Sequence, residues 1–218
     1  MVRRITALTL QKRNHQRVNV YLDGEFAFGL ARIVAAWLHL GMELDDVKIT
    51  QLRAEDEREV AFQRALKLID YRPRTAAEIR EKLERQAVSE KTIDSIFERL
   101  QTSGLVDDTQ FAKNWVENRA ELRPRSRRAL SYELKQRGVD QETIAQAVET
   151  IDDDQLAYQA ALRQAHKNDN LDWREFRLKL LRHLAQRGFN YETSSEAVRR
   201  VWEETHGAGQ NLDGEADL

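Results

Sequence analysis

Residues 134–148 (LKQRGVDQETIAQAV) align without a gap on residues 184–198 (LAQRGFNYETSSEAV), with eight of fifteen positions identical at a spacing of fifty residues. A repeat of this kind constrains the fold more than composition does, because each unit must bury the same face against a neighbour. A step of fifty-one residues back from Leu134 reaches Leu83, where residues 83–97 (LERQAVSEKTIDSIF) keep the pattern at Leu83, Val88, Thr92 and Ile93. In the same register Arg72-Pro73-Arg74-Thr75 lies over Arg123-Pro124-Arg125-Ser126, whereas the third unit carries Trp173-Arg174-Glu175-Phe176 there.

The punctuation divides each unit into three helices. In the second, Asp107 with Gln110 makes a start resembling a capping box, and Arg123-Pro124 ends that helix near Glu121. Ser126 is a good N-cap for the next helix, which stops at Gly138, and a third helix runs from about Gln141 to Thr150. In the first unit Thr75 and Glu78 supply a fuller capping box and Gly104 closes the last helix. With only 2 prolines and 9 glycines in 218 residues, little of the chain is left for long loops. A three-helix unit of this length exceeds the tetratricopeptide and ankyrin periods of about 33–34 residues, and three in tandem predict a mostly helical, elongated, curved array.

The first thirty residues read differently. Val18, Val20 and Leu22 alternate with polar neighbours, Asp23-Gly24 follows, and Phe26, Phe28 and Leu30 alternate again, which predicts a β-hairpin with a tight turn. Residues 5–10 supply a third strand, since a lone hairpin is marginal in water. Helical spacing returns over residues 31–41 and again over 50–70. The expected organisation is therefore an N-terminal sheet with a linking helix over 1–49, three-helix units over 50–105, 106–151 and 152–205, and a disordered acidic tail over 206–218.

Chemistry is excluded more readily than assigned. The chain has no cysteine, which removes disulfides, thiolate metal sites and thiol nucleophiles. Its histidines, His15, His39, His166, His183 and His206, form no metal-ligand spacing, and no glycine-rich phosphate loop occurs. Asp107-Asp108 is weighed as a metal pair and assigned instead to helix capping. Phe111, Trp115, Tyr132 and Trp173 are weighed as stacking platforms for single-stranded nucleic acid, and packing is preferred for Phe111 and Trp115 at their i, i+4 spacing. No catalytic residue, metal or cofactor is expected. Without an apolar run long enough for a signal peptide or a membrane span, a cytoplasmic protein with no membrane partner is expected.

The net charge of −2 hides local asymmetry. Arg119, Arg123, Arg125, Arg127 and Arg128 form the densest basic run, with only Glu121 among them, and Arg72 and Arg74 echo it in the first unit. Arginine forks pair with phosphate or carboxylate, and basic residues at a helix start oppose the helix dipole, so these seven arginines are the candidate contacts to a partner or DNA. The competing reading is a solvated face paired with Glu78, Glu121 or Glu133.

With the units in hand, the chain resembles the RecX family of regulators of the RecA recombinase. The resemblance rests on Gly104-Leu105-Val106-Asp107-Asp108, Phe111-Ala112, Trp115, Arg119, the Arg123-Pro124-Arg125-Ser126 turn, Glu133-Leu134, and Arg137-Gly138-Val139 leading to Ile144. The hairpin around Tyr21-Leu22-Asp23-Gly24 looks like the N-terminal extension of longer members. The resemblance implies a non-enzymatic protein that lies along the groove of a RecA filament on DNA and suppresses its ATPase, strand exchange and co-protease activity, and a monomer is expected. Two other classes stay open: a direct binder of single- or double-stranded DNA through helix-turn-helix-like units, and an enzyme whose site assembles only in space.

Overall fold

The computed structural model describes residues 1–207. Along the chain come β1 (Val2–Leu10), β2 (Arg17–Leu22), β3 (Glu25–Ala31), β4 (Glu43–Asp45), α1 (Asp46–Tyr71), α2 (Ala76–Glu84), α3 (Glu90–Thr102), α4 (Asp108–Leu122), α5 (Arg127–Lys135), α6 (Gln141–Val148), α7 (Asp153–Ala165), α8 (Trp173–Gln186) and α9 (Tyr191–His206). The chain is thus mostly helical, with a small sheet at its N-terminus. Two compact units are present among the described residues, Met1–Arg74 with Ile79–Val106, and Thr75–Glu78 with the described chain from Asp107 onward. Helix α9 ends at His206, and residues 208–218 of the acidic tail expected over 206–218 lie outside the described residues.

In the first unit the sheet is antiparallel in the order β3-β2-β1-β4. Asp23 and Gly24 both take positive φ (51° and 91°), the conformation a two-residue hairpin turn requires. Ile5, Val20, Leu22, Phe28, Leu30 and Leu44 point to one buried face, where Ile49 and Leu52 of α1 join them. Phe26 leaves this face. A register shift between Val20 and Tyr21 places Phe26 opposite Tyr21, and it remains exposed in edge contact with that ring.

Two features differ from expectation. β4 is an additional strand, pairing with Val2, Arg3 and Arg4 of β1, so the sheet has four strands and not three. No helix forms over residues 31–41; the segment is a succession of turns. Its end is drawn to β1, where Ile5 N–H donates to Met42 O and Gly41 N–H donates to Ile5 O, both at 2.8 Å. Ala35 and Leu38 still bury their side chains, so the apolar spacing reflects a packed turn.

α1 is 26 residues long, about 39 Å at the usual helical rise. Its first turns pack on β3 and β4 and its later turns on α3, so one rigid element serves both the sheet and the first three-helix group. Asp45 caps it by accepting from Lys48 N–H at 2.7 Å, and the boundary expected between residues 49 and 50 falls inside it.

The second unit holds two three-helix groups, α4–α6 and α7–α9, around one core. Leu130 and Leu134 of α5 and Phe176, Leu180 and Leu184 of α8 are fully buried at four-residue spacing, a single inward stripe on each helix. Asp107, Ser126, Asp140, Asp172 and Asn190 each accept the backbone N–H three residues on, which fixes the helix starts. α8 begins at Trp173, so the third unit's departure at 173–176 is an extra helical turn in place of the proline turn, with Trp173 and Phe176 set against Trp202.

Candidate functional site

The turn between α4 and α5 carries the basic run. Pro124 has no N–H to donate and disfavours helix at the residue before it, so α4 ends at Leu122 and Arg123 takes an extended φ of −145°. Ser126 then starts α5, accepting Ala129 N–H at 3.2 Å.

Glu133 on α5 decides the fate of two arginines. Its Oε2 accepts from Trp115 Nε1 at 2.9 Å and from Arg119 Nε at 3.0 Å, while Oε1 lies 3.0 Å from Arg125 Nε. The Trp115 ring sits beneath two guanidinium groups, Arg137 at 3.9 Å and Arg119 at 4.5 Å from its centroid. Arg137 Nη1 in turn donates to Glu78 Oε1 at 2.6 Å. Arg119 and Arg125 therefore hold the unit together through a largely buried carboxylate, where the competing expectation is a solvated face paired with Glu133.

Arg127 is also engaged: its guanidinium donates to Ile151 O, and its backbone N–H donates to Asp153 Oδ1 at 2.6 Å. Arg123 and Arg128 are exposed and make no side-chain hydrogen bond or ion pair among the described residues. In the first unit Arg72 Nη1 donates to Pro73 O at 2.8 Å and Arg74 Nε to Leu68 O at 2.9 Å, so both engage nearby carbonyls. Among the aromatic candidates, Phe111 and Trp115 stack at 5.9 Å and pack on the core, Trp173 packs on Trp202, and Tyr132 is 63% exposed. Tyr132, Trp115, Arg119 and Arg137 line a shallow cavity of about 370 Å³.

Along the chain Arg137-Gly138 and Arg187-Gly188 read only as helix stops, yet each is half of a clasp. Ser126 N–H donates to Arg187 O at 3.1 Å and Ser126 Oγ donates to Gly188 O at 2.8 Å. Thr75, which belongs to the same unit, donates through Oγ1 to Arg137 O at 2.6 Å. A carboxylate completes each clasp: Asp108 Oδ1 accepts Ala76 N–H at 2.8 Å just as Asp153 accepts Arg127 N–H. The recurrence of Arg-Gly in the aligned segments was the available signal. Asp107 and Asp108 are accordingly helix-start acceptors, and no group of three His, Asp or Glu among the described residues is placed to hold a metal.

Family models of the RecX proteins match this chain in four places: the N-terminal domain over residues 3–45, and the first, second and third three-helix domains over 61–100, 107–148 and 152–198. The regulatory protein RecX of Bacillus licheniformis is 30% identical over 202 residues, covering 90% of this chain and 77% of that one. The chain belongs to the RecX family. Another RecX protein, from Clostridium perfringens, is 30% identical over 206 residues and is covered to 96% of its length. A crystal structure of regulatory protein RecX superposes with a TM-score of 0.69 at 26% identity, over 92% of this chain and 99% of that one. RecX from Lactobacillus salivarius shares the fold with a TM-score of 0.58 over 67% of this chain. Relatives across the family are named regulatory proteins, and no helix among the described residues is long and apolar enough to cross a membrane.

Proposed function

We propose that this chain regulates RecA by binding the RecA–DNA filament and inhibiting its ATPase, strand-exchange and co-protease activities. The observation that carries the reading is membership of the RecX family along all four of its segments. Arg123 and Arg128 are the strongest contact candidates of the seven arginines, because they are exposed while Arg119, Arg125 and Arg127 are engaged inside the unit. Arg72 and Arg74 offer corresponding contacts from the first unit. Several modest contacts along one chain favour a filament over a single protomer through effective concentration.

The deciding experiment titrates the chain against the ATPase of RecA on single-stranded DNA at fixed salt. Inhibition well below one chain per RecA supports filament-level regulation, and no effect at equimolar protein refutes it. Arg123→Glu with Arg128→Glu then tests the contacts, and unchanged inhibition removes them from the interface. A second reading, direct DNA binding by a three-helix unit, draws on the exposed α5 residues Arg128, Tyr132 and Lys135. It requires a mobility shift on DNA at low salt with no RecA present.

A further inference from the structure

The carbonyls that end α4 attract two arginines from distant elements. Arg163 on α7 donates through Nη2 to Glu121 O at 2.6 Å and through Nη1 to Leu122 O at 3.1 Å. Arg187, following α8, donates through Nη1 to Pro124 O at 3.0 Å and through Nε to His183 Nε2 at 2.8 Å. Arg123 sits between those carbonyls in sequence, so three arginines belong to this turn or reach it, and the Arg123 charge acts on Arg187. None of the three makes an ion pair with a carboxylate among the described residues, in contrast to Arg119 and Arg125 on Glu133.

Helix-end carbonyls carry only partial negative charge, and capping them needs one cation at most. Three full charges exceed that need, so the cluster retains a net positive field. The ionisation of Arg187 reflects it: burial depresses its pKa first, and Arg125, Arg123 and Arg163 depress it further. His183 feels the same field, being depressed by burial and then by Arg187 and Lys167. Each guanidinium has five N–H donors, and Arg163 and Arg187 each use two of them on these partners. The clasp holds the Arg187 backbone through Ser126, and Arg163 stands on a helix, so the donors are fixed before any ligand arrives.

We propose that Arg123, Arg163 and Arg187 form a binding site for a phosphate oxyanion at the end of α4. The ligand is either a phosphodiester of a nucleic-acid backbone or a free phosphate compound, since both present the oxygens that guanidinium forks match. The site concerns the chain alone and shares only Arg123 with the RecA reading, so either can fail without the other.

The test follows arginine Nε–H resonances of the isolated full chain during titration with inorganic pyrophosphate and, separately, with a short single-stranded oligodeoxynucleotide at low salt. Saturable shifts at Arg163 or Arg187 are expected, weakened about tenfold or more by Arg123→Gln, as loss of a charge-assisted hydrogen bond implies. Arg123 makes no side-chain bond in the fold, so this variant stays folded and keeps the test decisive where Arg163→Gln unfolds. Tighter binding of the oligonucleotide, with a salt dependence that flattens in Arg123→Gln, assigns the site to a nucleic-acid backbone. Binding of pyrophosphate without the oligonucleotide assigns it to a free phosphate. The absence of shifts with both probes, or affinity unchanged in Arg123→Gln, overturns the proposal.

Discussion

Ser126 and Gly188 meet so closely that a Cβ on Gly188 would lie 2.7 Å from Ser126 Oγ and 2.8 Å from the Ala129 Cβ. Gly188 also holds φ at +88°, a conformation that side chains oppose. Steric crowding and backbone strain therefore act together, and Gly188→Ala is expected to cost about 2–4 kcal/mol of stability. Gly104 has φ of +64°, but a Cβ there would meet nothing within 4 Å, so Gly104→Ala should cost only about 1–2 kcal/mol. Urea unfolding midpoints of the two variants separate packing from strain, and equal losses would refute the clasp.

Glu133 neutralises two arginines and takes the indole N–H of Trp115, so its charge cannot be removed without leaving cations crowded on α4 and the following turn. Glu133→Gln is expected to lose about 2–3 kcal/mol. Arg123→Gln, at an exposed position with no internal bond, should stay within about 0.5 kcal/mol of the parent. Chemical denaturation of both variants checks the contrast, which is lost if Arg123→Gln proves the more damaging.

Asp108 accepts Ala76 N–H, yet burial raises its pKa, and Asp140, Asp107 and Glu78 raise it further against that hydrogen bond. The folded state then holds the carboxyl proton more tightly than the unfolded chain. Stability from this group is present at pH below the unfolded value of 3.8 and is lost as pH rises through the higher folded value. Asp108→Asn keeps an acceptor without the charge, so at pH 7 it should equal or exceed the parent in stability. Asp108→Ala should fall about 1 kcal/mol below it through loss of the acceptor. Thermal unfolding at pH 4 and pH 7 tests the order.

His183 shows the opposite dependence. Burial first, then Arg187 and Lys167, hold its pKa below the ordinary histidine value of 6.5, and the neutral ring accepts Arg187 Nε–H. The unfolded chain binds the proton more readily, so stability is present above pH 6.5 and is lost as pH falls through the lower folded value. His183→Gln, which offers an acceptor that does not titrate, should remove this component. The difference in unfolding midpoint between parent and variant should change between pH 7 and pH 5, and a constant difference would count against the buried neutral ring.

The fifty-residue repeat, the hairpin turn at Asp23-Gly24, the helix starts at Asp107 and Ser126, and the stop at Gly138 are all legible in the order of the residues. Apart from the repeat, each is a local relation: a capping oxygen reaches an N–H three residues on, and a positive φ belongs to a single residue. Local spacing also misled, since residues 31–41 have helical periodicity but surrender their end to Ile5 of β1. Which arginines stay unpaired was settled by tertiary packing alone. Arg119 and Arg125 look equivalent to Arg123 along the chain, but Glu133 lies on the next helix and takes those two. Arg163 stands 41 and 42 residues from the carbonyls it meets, and Arg187 stands 63 residues from Pro124 O. A charge is neutralised or left open by whatever the fold brings within a few ångströms of it, and no spacing along the chain carries that information.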